Sequence, residues 1–129
     1  MDGAARKKIL IVDDETDFLD LMRIKLEEDY DVITASSGSE ALDAIHEERP
    51  DAVLLDMIMD KMSGIDVLKM IRKHDHHLPV FIVTAFSDGE GFEQASRLKA
   101  SGFIVKTNDL DKELQCIHSV LDISPKYRR

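Results

Sequence analysis

Short apolar runs alternate with amphipathic segments along this chain, and polar side chains stand where the runs end. The runs occupy residues 9–12, 52–55, 80–83 and 103–105. Because they are rich in β-branched residues and are apolar throughout, they predict strands that are buried on both faces, as in a parallel sheet. A further short segment at residues 31–35 predicts one more strand, which brings the number to five.

Apolar residues at helical spacing follow each predicted strand, in segments at residues 18–26, 41–45, 65–71, 92–98 and 110–121. Asp14 or Thr16 is expected to cap the first helix. Gly89 and Gly91 are expected to delay or fray the start of the fourth, since Gly costs about 1 kcal/mol relative to Ala inside a helix. The alternation of strands and helices predicts right-handed crossovers and an α/β fold whose sheet is covered on both faces.

Length and composition predict one domain. A chain of 129 residues lies in the usual range for a single domain. We expect this domain at residues 8–122, between a flexible N-terminus at 1–7 and a C-terminal tail or linker start at 123–129. The net charge of −9 argues against a nucleic-acid interface, which needs clustered Lys and Arg. The polar start and the shortness of every apolar run predict a cytoplasmic protein without membrane contact.

Polar side chains at the ends of the predicted strands are the candidate chemistry. Asp13 and Asp14 follow the first strand, Asp56 the third and Thr84 the fourth, and Lys106 follows the fifth. Because the carboxyl ends of parallel strands meet at one edge, these groups are expected to converge there. Three carboxylates that leave room for water and phosphate suit Mg²⁺ better than Zn²⁺. Taken singly, each residue could be a cap or a solvated lysine, so the combination is what indicates a site for a metal and a phosphoryl group.

In the order and spacing of these motifs, the chain resembles the CheY-like receiver domain of two-component response regulators, from residue 8 to about residue 121. The matching segments are Val12-Asp13-Asp14-Glu15, Leu54-Leu55-Asp56, Val83-Thr84-Ala85 and Phe103-Ile104-Val105-Lys106, with Met59, Met62 and Gly64 after Asp56. The resemblance implies a single doubly wound (βα)5 domain of the flavodoxin-like class, with a five-stranded parallel sheet in the order 2-1-3-4-5. That order places Asp14 near Asp56.

The resemblance also implies roles for the site residues. Asp56 would accept a phosphoryl group from a histidine kinase or phosphotransfer protein. Mg²⁺ would be held directly by Asp14, Asp56 and the backbone carbonyl of Ile58, and through water by Asp13. Lys106 would pair with the phosphoryl oxygens.

Two further residues would carry the signal away from the site by the same resemblance. Thr84 would move toward the phosphoryl group, and the ring of Phe103 would move into the space that Thr84 leaves. The surface formed by the fourth helix, fifth strand and fifth helix would then change shape. A downstream protein target or an output domain would bind there, and a second copy of the chain is another candidate partner.

The chain departs from the family pattern at a few positions. Asp60 and Thr107 stand where the family usually has proline, and we predict a trans peptide between Lys106 and Thr107, because a cis bond without proline costs roughly 2.5 to 4 kcal/mol. Ile58 and Phe86 are apolar where a polar side chain could orient water. We therefore expect slow self-dephosphorylation. As the resemblance implies, we also expect the domain to catalyse only its own phosphorylation and dephosphorylation.

Three other functions are compatible with parts of this pattern. An aspartyl phosphatase of the haloacid-dehalogenase kind needs a second acid two residues after the nucleophile, where this chain has Ile58, and a nucleophile after the first strand rather than the third. A flavin-binding module needs phosphate donors in the first turn, where Asp13, Asp14 and Glu15 would repel phosphate. A receiver-like interaction module that is not phosphorylated is the remaining alternative.

Overall fold

Five strands and six helical segments make up the described part of the chain. The computed structural model describes residues 6–59, 61–85, 89–106 and 109–127, with the backbone alone at residues 89, 90 and 122–127. The strands are β1 (Lys8–Val12), β2 (Asp31–Ala35), β3 (Ala52–Asp56), β4 (Val80–Thr84) and β5 (Gly102–Val105). The helices are α1 (Thr16–Leu26), α2 (Gly38–Glu48), α3 (Gly64–His74), α4 (Gly89–Arg97), α5 (Leu110–Glu113) and α6 (Gln115–Tyr127).

The sheet is parallel throughout, and its order is β2-β1-β3-β4-β5, which confirms the predicted fold class. Successive residues of each strand point to opposite faces. One face carries Leu10, Val53 and Ile82 into a core shared with α2, α3 and α4. The other carries Ile11 and Leu54 into a second core shared with α1 and α6. Both faces are therefore buried, as the continuous apolar runs predicted.

Serine side chains begin two of the helices. The hydroxyl of Ser37 accepts a hydrogen bond from the backbone N–H of Glu40 at the start of α2, and Ser63 does the same for Asp66 at the start of α3. Both are ordinary N-caps. The prediction for α1 was wrong, because its N-cap residue is Glu15 rather than Asp14 or Thr16, and the Glu15 side chain makes no capping hydrogen bond.

The C-terminal part of the fold also differs from the predicted pattern. The segment expected as a fifth helix is divided at Leu114, where α5 ends and α6 follows. The backbone of α6 continues to Tyr127 and so enters the region expected as a tail from residue 123. Two predictions fall on residues that the structure does not describe. The flexible N-terminus depends on residues 1–5, and the late start of the fourth helix depends on residues 86–88.

A buried arginine joins α3 to the end of α4. Arg72 is 7% exposed, and its guanidinium donates hydrogen bonds to the backbone carbonyls of Leu98, at 2.7 Å, and Lys99, at 3.0 Å. A third bond, of 3.1 Å, reaches the carbonyl of Asp75. Backbone carbonyls that lack partners at helix ends are thereby satisfied. The C-terminal end of α4 is therefore fixed to the body of the domain.

None of the helices in the described part of the chain combines the length and the apolar composition that a membrane-spanning helix requires.

Candidate functional site

The strand ends place the predicted site residues at one edge of the sheet. Asp13 follows β1, and Asp56 is the last residue of the neighbouring strand β3. Thr84 is the last residue of β4 and lies opposite Val105, which directly precedes Lys106. Asp13, Asp56 and Thr84 are all buried. The parallel register thus brings polar groups from four strands to the carboxyl edge of the sheet, where open α/β sheets bind ligands.

Lys106 is the cation at the centre of this edge. Its Nζ atom lies 2.8 Å from Asp13 Oδ2, 2.8 Å from Glu15 Oε1 and 3.7 Å from Asp56 Oδ2. The ring of Phe18 lies on another side of the ammonium, with its centroid at 4.4 Å, a cation–π distance. The side chain of Lys106 is only 14% exposed. The ammonium therefore makes contact with three carboxylates at once.

Carboxylate oxygens of Asp13, Glu15 and Asp56 lie within 4.8 Å of one another. Among the residues that the structure describes, Asp14 is not part of this close group, and it is exposed. Sequence analysis included Glu15 in a motif but gave it no role, because its contact with Lys106, 91 residues away, cannot be read from local pattern. Three carboxylates against one ammonium leave an excess of two negative charges.

Asp13 orients the turn between β1 and α1. Its Oδ1 accepts a hydrogen bond of 2.9 Å from the backbone N–H of Glu15. Its Oδ2 is buried and accepts no hydrogen bond, since the contact with Lys106 is ionic and lies outside hydrogen-bond geometry. A buried carboxylate oxygen without a hydrogen bond is costly unless a cation compensates it. Asp13 therefore presents an oxygen that is suited to binding a cation.

The surroundings of Asp56 favour its protonated form more than water does. Burial, and next the charge of Asp13, raise the pKa of Asp56 from its ordinary value of 3.8 to about 6, against the opposing effects of Lys106 and the N–H of Ile58. That N–H donates a bond of 3.3 Å to Asp56 Oδ1. Burial lowers the pKa of Lys106, but its ion pairs with Asp13, Glu15 and Asp56 outweigh burial and leave this pKa above its ordinary value. At neutral pH the site holds a carboxylate and an ammonium.

We predict that the raised pKa of Asp56 makes the domain less stable as pH rises. A carboxyl with a folded pKa of about 6 and an unfolded value of 3.8 costs nothing below pH 3.8 and imposes its full penalty above pH 6. The free energy of unfolding should therefore fall by about 3 kcal/mol across this range through Asp56 alone. Urea unfolding of the wild type and of Asp56→Asn, from pH 4 upward in metal-free buffer, measures this contribution as their difference. A difference that does not change with pH would contradict it.

The predicted switch residues lie on neighbouring strands. Phe103 of β5 pairs with Ile82 of β4. Thr84 lies two residues after Ile82 and pairs with Val105. The ring of Phe103 packs edge-on against Phe92 of α4, with centroids 4.3 Å apart and planes at 74°. This edge-to-face pair connects β5 directly to α4. The helical spacing of residues 92–98 predicted an apolar face there but not this contact between rings.

Three of the predicted features are not covered by the described part of the chain. Asp60 and Phe86 lie outside the described residues, and so does the peptide between Lys106 and Thr107. The trans peptide and the contribution of Phe86 to slow dephosphorylation remain predictions. Ile58 is described, and its side chain is 64% exposed beside the site.

Comparisons with known proteins identify the family. The model of the response regulator receiver domain matches residues 9–118. Sporulation initiation phosphotransferase F of Bacillus subtilis is 34% identical over 118 residues, which cover 91% of this chain and 95% of that protein. The alkaline phosphatase synthesis transcriptional regulatory protein PhoP of Bacillus subtilis is 45% identical over 80 residues, which cover 61% of this chain and 33% of that protein.

The solved structures agree with these relatives. The crystal structure of a CheY-like response regulator receiver domain protein from Methanospirillum hungatei superimposes with a TM-score of 0.89 at 30% identity, covering 95% of this chain and 99% of that one. The chain spans only about a third of the length of PhoP, so it is similar to one part of that regulator. On the fold, the strand-end motifs and these matches, the chain belongs to the response regulator receiver domain family of two-component signalling proteins.

Proposed function

We propose that this domain accepts a phosphoryl group on Asp56 and in response changes the surface formed by α4, β5 and the α5–α6 segment, which was predicted as one fifth helix. The observation that carries the proposal is the position of Asp56, buried at the carboxyl edge of the sheet with the ammonium of Lys106 3.7 Å from its Oδ2. A carboxylate is a competent nucleophile, and a nearby fixed cation stabilises charge that develops during phosphoryl transfer. Membership of the receiver family supports the same assignment.

The transfer step is a displacement at phosphorus. An Asp56 carboxylate oxygen attacks the phosphorus of a phosphohistidine on a histidine kinase or phosphotransfer protein. A P–O bond forms as the P–N bond breaks, and the electron pair of that bond stays on the imidazole nitrogen. The pKa of about 6 leaves Asp56 mainly ionised at neutral pH, so it can act without a separate base. Lys106 then pairs with the phosphoryl oxygens.

The donor atoms at this edge fit Mg²⁺. They are hard carboxylate oxygens with an excess of negative charge, and Asp13 Oδ2 is buried without a hydrogen bond. Asp13 and Asp56 would hold the ion, together with Asp14 and the carbonyl of Ile58 as the family resemblance implies. The ion would neutralise charge on the phosphoryl group and allow a dianionic donor to approach the carboxylates. The chain's own residues would supply the nucleophile and the second cation.

Output from the site would pass through Thr84, Phe103 and α4. Phosphorylation replaces one negative charge on Asp56 by about two and adds acceptor oxygens, to which a hydroxyl such as that of Thr84 can donate. Movement of the Phe103 ring would break its edge-on contact with Phe92 and so alter the surface of α4. A downstream protein, an output domain or a second copy of the chain would bind this altered surface.

Phosphorylation by a small donor tests the proposal. Incubation with acetyl phosphate and MgCl₂ should convert most of the protein to a species that carries one phosphoryl group, and EDTA should slow this conversion by at least about tenfold. Intact-protein mass spectrometry measures the conversion. After the donor is removed, we expect loss of the phosphoryl group over minutes or longer rather than seconds. A protein that stays unlabelled by acetyl phosphate and by phosphoramidate would instead be an interaction module that is not phosphorylated.

A further inference from the structure

Glu15 occupies a helix N-cap position without acting as a cap. Its backbone has the extended conformation of an N-cap residue, with φ −95° and ψ 107°, yet its side chain accepts no hydrogen bond from α1. Short polar side chains are preferred at this position because they reach the free N–H groups of the first turn. The carboxylate of Glu15 instead binds Lys106 Nζ at 2.8 Å, across 91 residues of sequence. The local helix geometry therefore does not explain this side chain.

Lys106 lies closer to Glu15 than to Asp56. The ammonium is 2.8 Å from Glu15 and 3.7 Å from Asp56, which is beyond a direct hydrogen bond. The Phe18 ring, one turn along α1, borders the ammonium at 4.4 Å. The start of α1 thus supplies both a carboxylate and an aromatic face. Together they hold the lysine on the α1 side of the site.

We propose that Glu15 is a positioning residue that holds Lys106 away from Asp56 until a phosphoryl group arrives. This inference rests on the proposed function. The Glu15 side chain is 67% exposed, so its bond to Lys106 is weak and can be exchanged. Asp13 is buried, with its Oδ2 2.8 Å from Lys106 Nζ. As charge on Asp56 grows from one to about two, Lys106 shifts from Glu15 to the phosphoryl oxygens while it keeps its contact with Asp13.

If Lys106 exchanges Glu15 for the phosphoryl oxygens, Glu15 should lower the rate of phosphorylation. Before Lys106 can stabilise the transferring group, its bond to Glu15 must break. Replacement by glutamine keeps the size of the side chain and removes the charge that holds the ammonium. We therefore expect Glu15→Gln to accelerate labelling by acetyl phosphate about threefold, which is the size expected for the loss of one exposed ion pair.

The experiment separates this effect from a general change of charge. Initial labelling rates are measured at saturating MgCl₂ for the wild type, Glu15→Gln and Asp17→Asn, with unchanged folding checked by circular dichroism. Asp17 is an exposed acid in the first turn of α1, and its replacement removes the same charge nearby. The Asp17→Asn rate should stay within about 1.5-fold of wild type. The Glu15→Gln change is then repeated in a Lys106→Met background, where its effect should disappear because its partner is gone.

Each result of the labelling experiment either supports or overturns the proposed role of Glu15. A faster Glu15→Gln protein, with the gain lost in the Lys106→Met background, supports the inference. An unchanged or slower Glu15→Gln protein, an equal gain in Asp17→Asn, or a gain that persists without Lys106 overturns it. If Lys106→Met labels too slowly to measure, the comparison of Glu15→Gln with Asp17→Asn decides alone. Failure of the wild type to label at all would refute the proposed function instead, so the two failures are distinct.

Discussion

Asp56→Asn is expected to abolish labelling by acetyl phosphate and, at the same time, to raise the free energy of unfolding. A carboxamide is not a nucleophile at neutral pH and cannot form the acyl phosphate, so the labelled fraction should fall at least about a hundredfold. The same change removes a buried carboxyl group close to Asp13. Burial and the charge of Asp13 raise the pKa of this group to about 6. Stability at pH 8 should therefore increase by up to about 3 kcal/mol.

The matched control is Asp43→Asn, the same chemical change at an exposed position of α2. It should leave both the labelling rate and the urea midpoint close to those of the wild type. Opposite signs for function and stability are characteristic of a reactive group that is held in unfavourable surroundings. Labelling of Asp56→Asn at the wild-type rate would place the phosphoryl group on another residue.

Gly64→Ala is expected to destabilise the domain by about 2 to 3 kcal/mol and to slow phosphorylation. A Cβ atom at Gly64 would overlap the carbonyl oxygen of Asp56 and would lie 2.8 Å from Met57 Cα. Both are backbone atoms, and the N–H of Gly64 also binds the carbonyl of Met57 at 2.9 Å. The first residue of α3 is thus packed directly against the end of β3. An added methyl group must displace either the start of α3 or the backbone of Asp56, and so disturbs the position of the phosphorylation site.

Intrinsic helix propensity predicts the opposite sign, since Ala is favoured over Gly in a helix by about 1 kcal/mol. A measured loss of stability would therefore show the effect of the close approach between the start of α3 and the end of β3. Gly102→Ala is the control, because the three atoms nearest to its Cβ would belong to side chains, in the Phe81 ring at 3.2 Å and in Cys116 at 3.9 Å. We expect a change of less than about 1 kcal/mol. Urea unfolding and the acetyl phosphate assay measure both variants. Wild-type stability of Gly64→Ala would show that the approach can relax at no cost.

Much of the architecture was predictable because the relevant forces are local and periodic. Continuous apolar runs predicted strands with both faces buried, and the two cores on either side of the sheet confirm them. Helical spacing predicted the amphipathic segments, although α5 and α6 divide at Leu114 where one helix was expected. The strand order followed from the resemblance to receiver domains. The convergence of Asp13, Asp56 and Lys106 then followed from the rule that parallel strands end at one edge.

The sequence by itself thus determined the class of fold, the family and the edge of the sheet where the chemistry lies. Only the tertiary structure decided that Glu15 rather than Asp14 joins Asp13 and Asp56, and that Arg72 is buried against the carbonyls that end α4. The physical reason is the distance along the chain. Lys106 meets Glu15 across 91 residues and Arg72 meets Leu98 across 26, and no periodic pattern specifies which distant atoms come into contact when the cores pack.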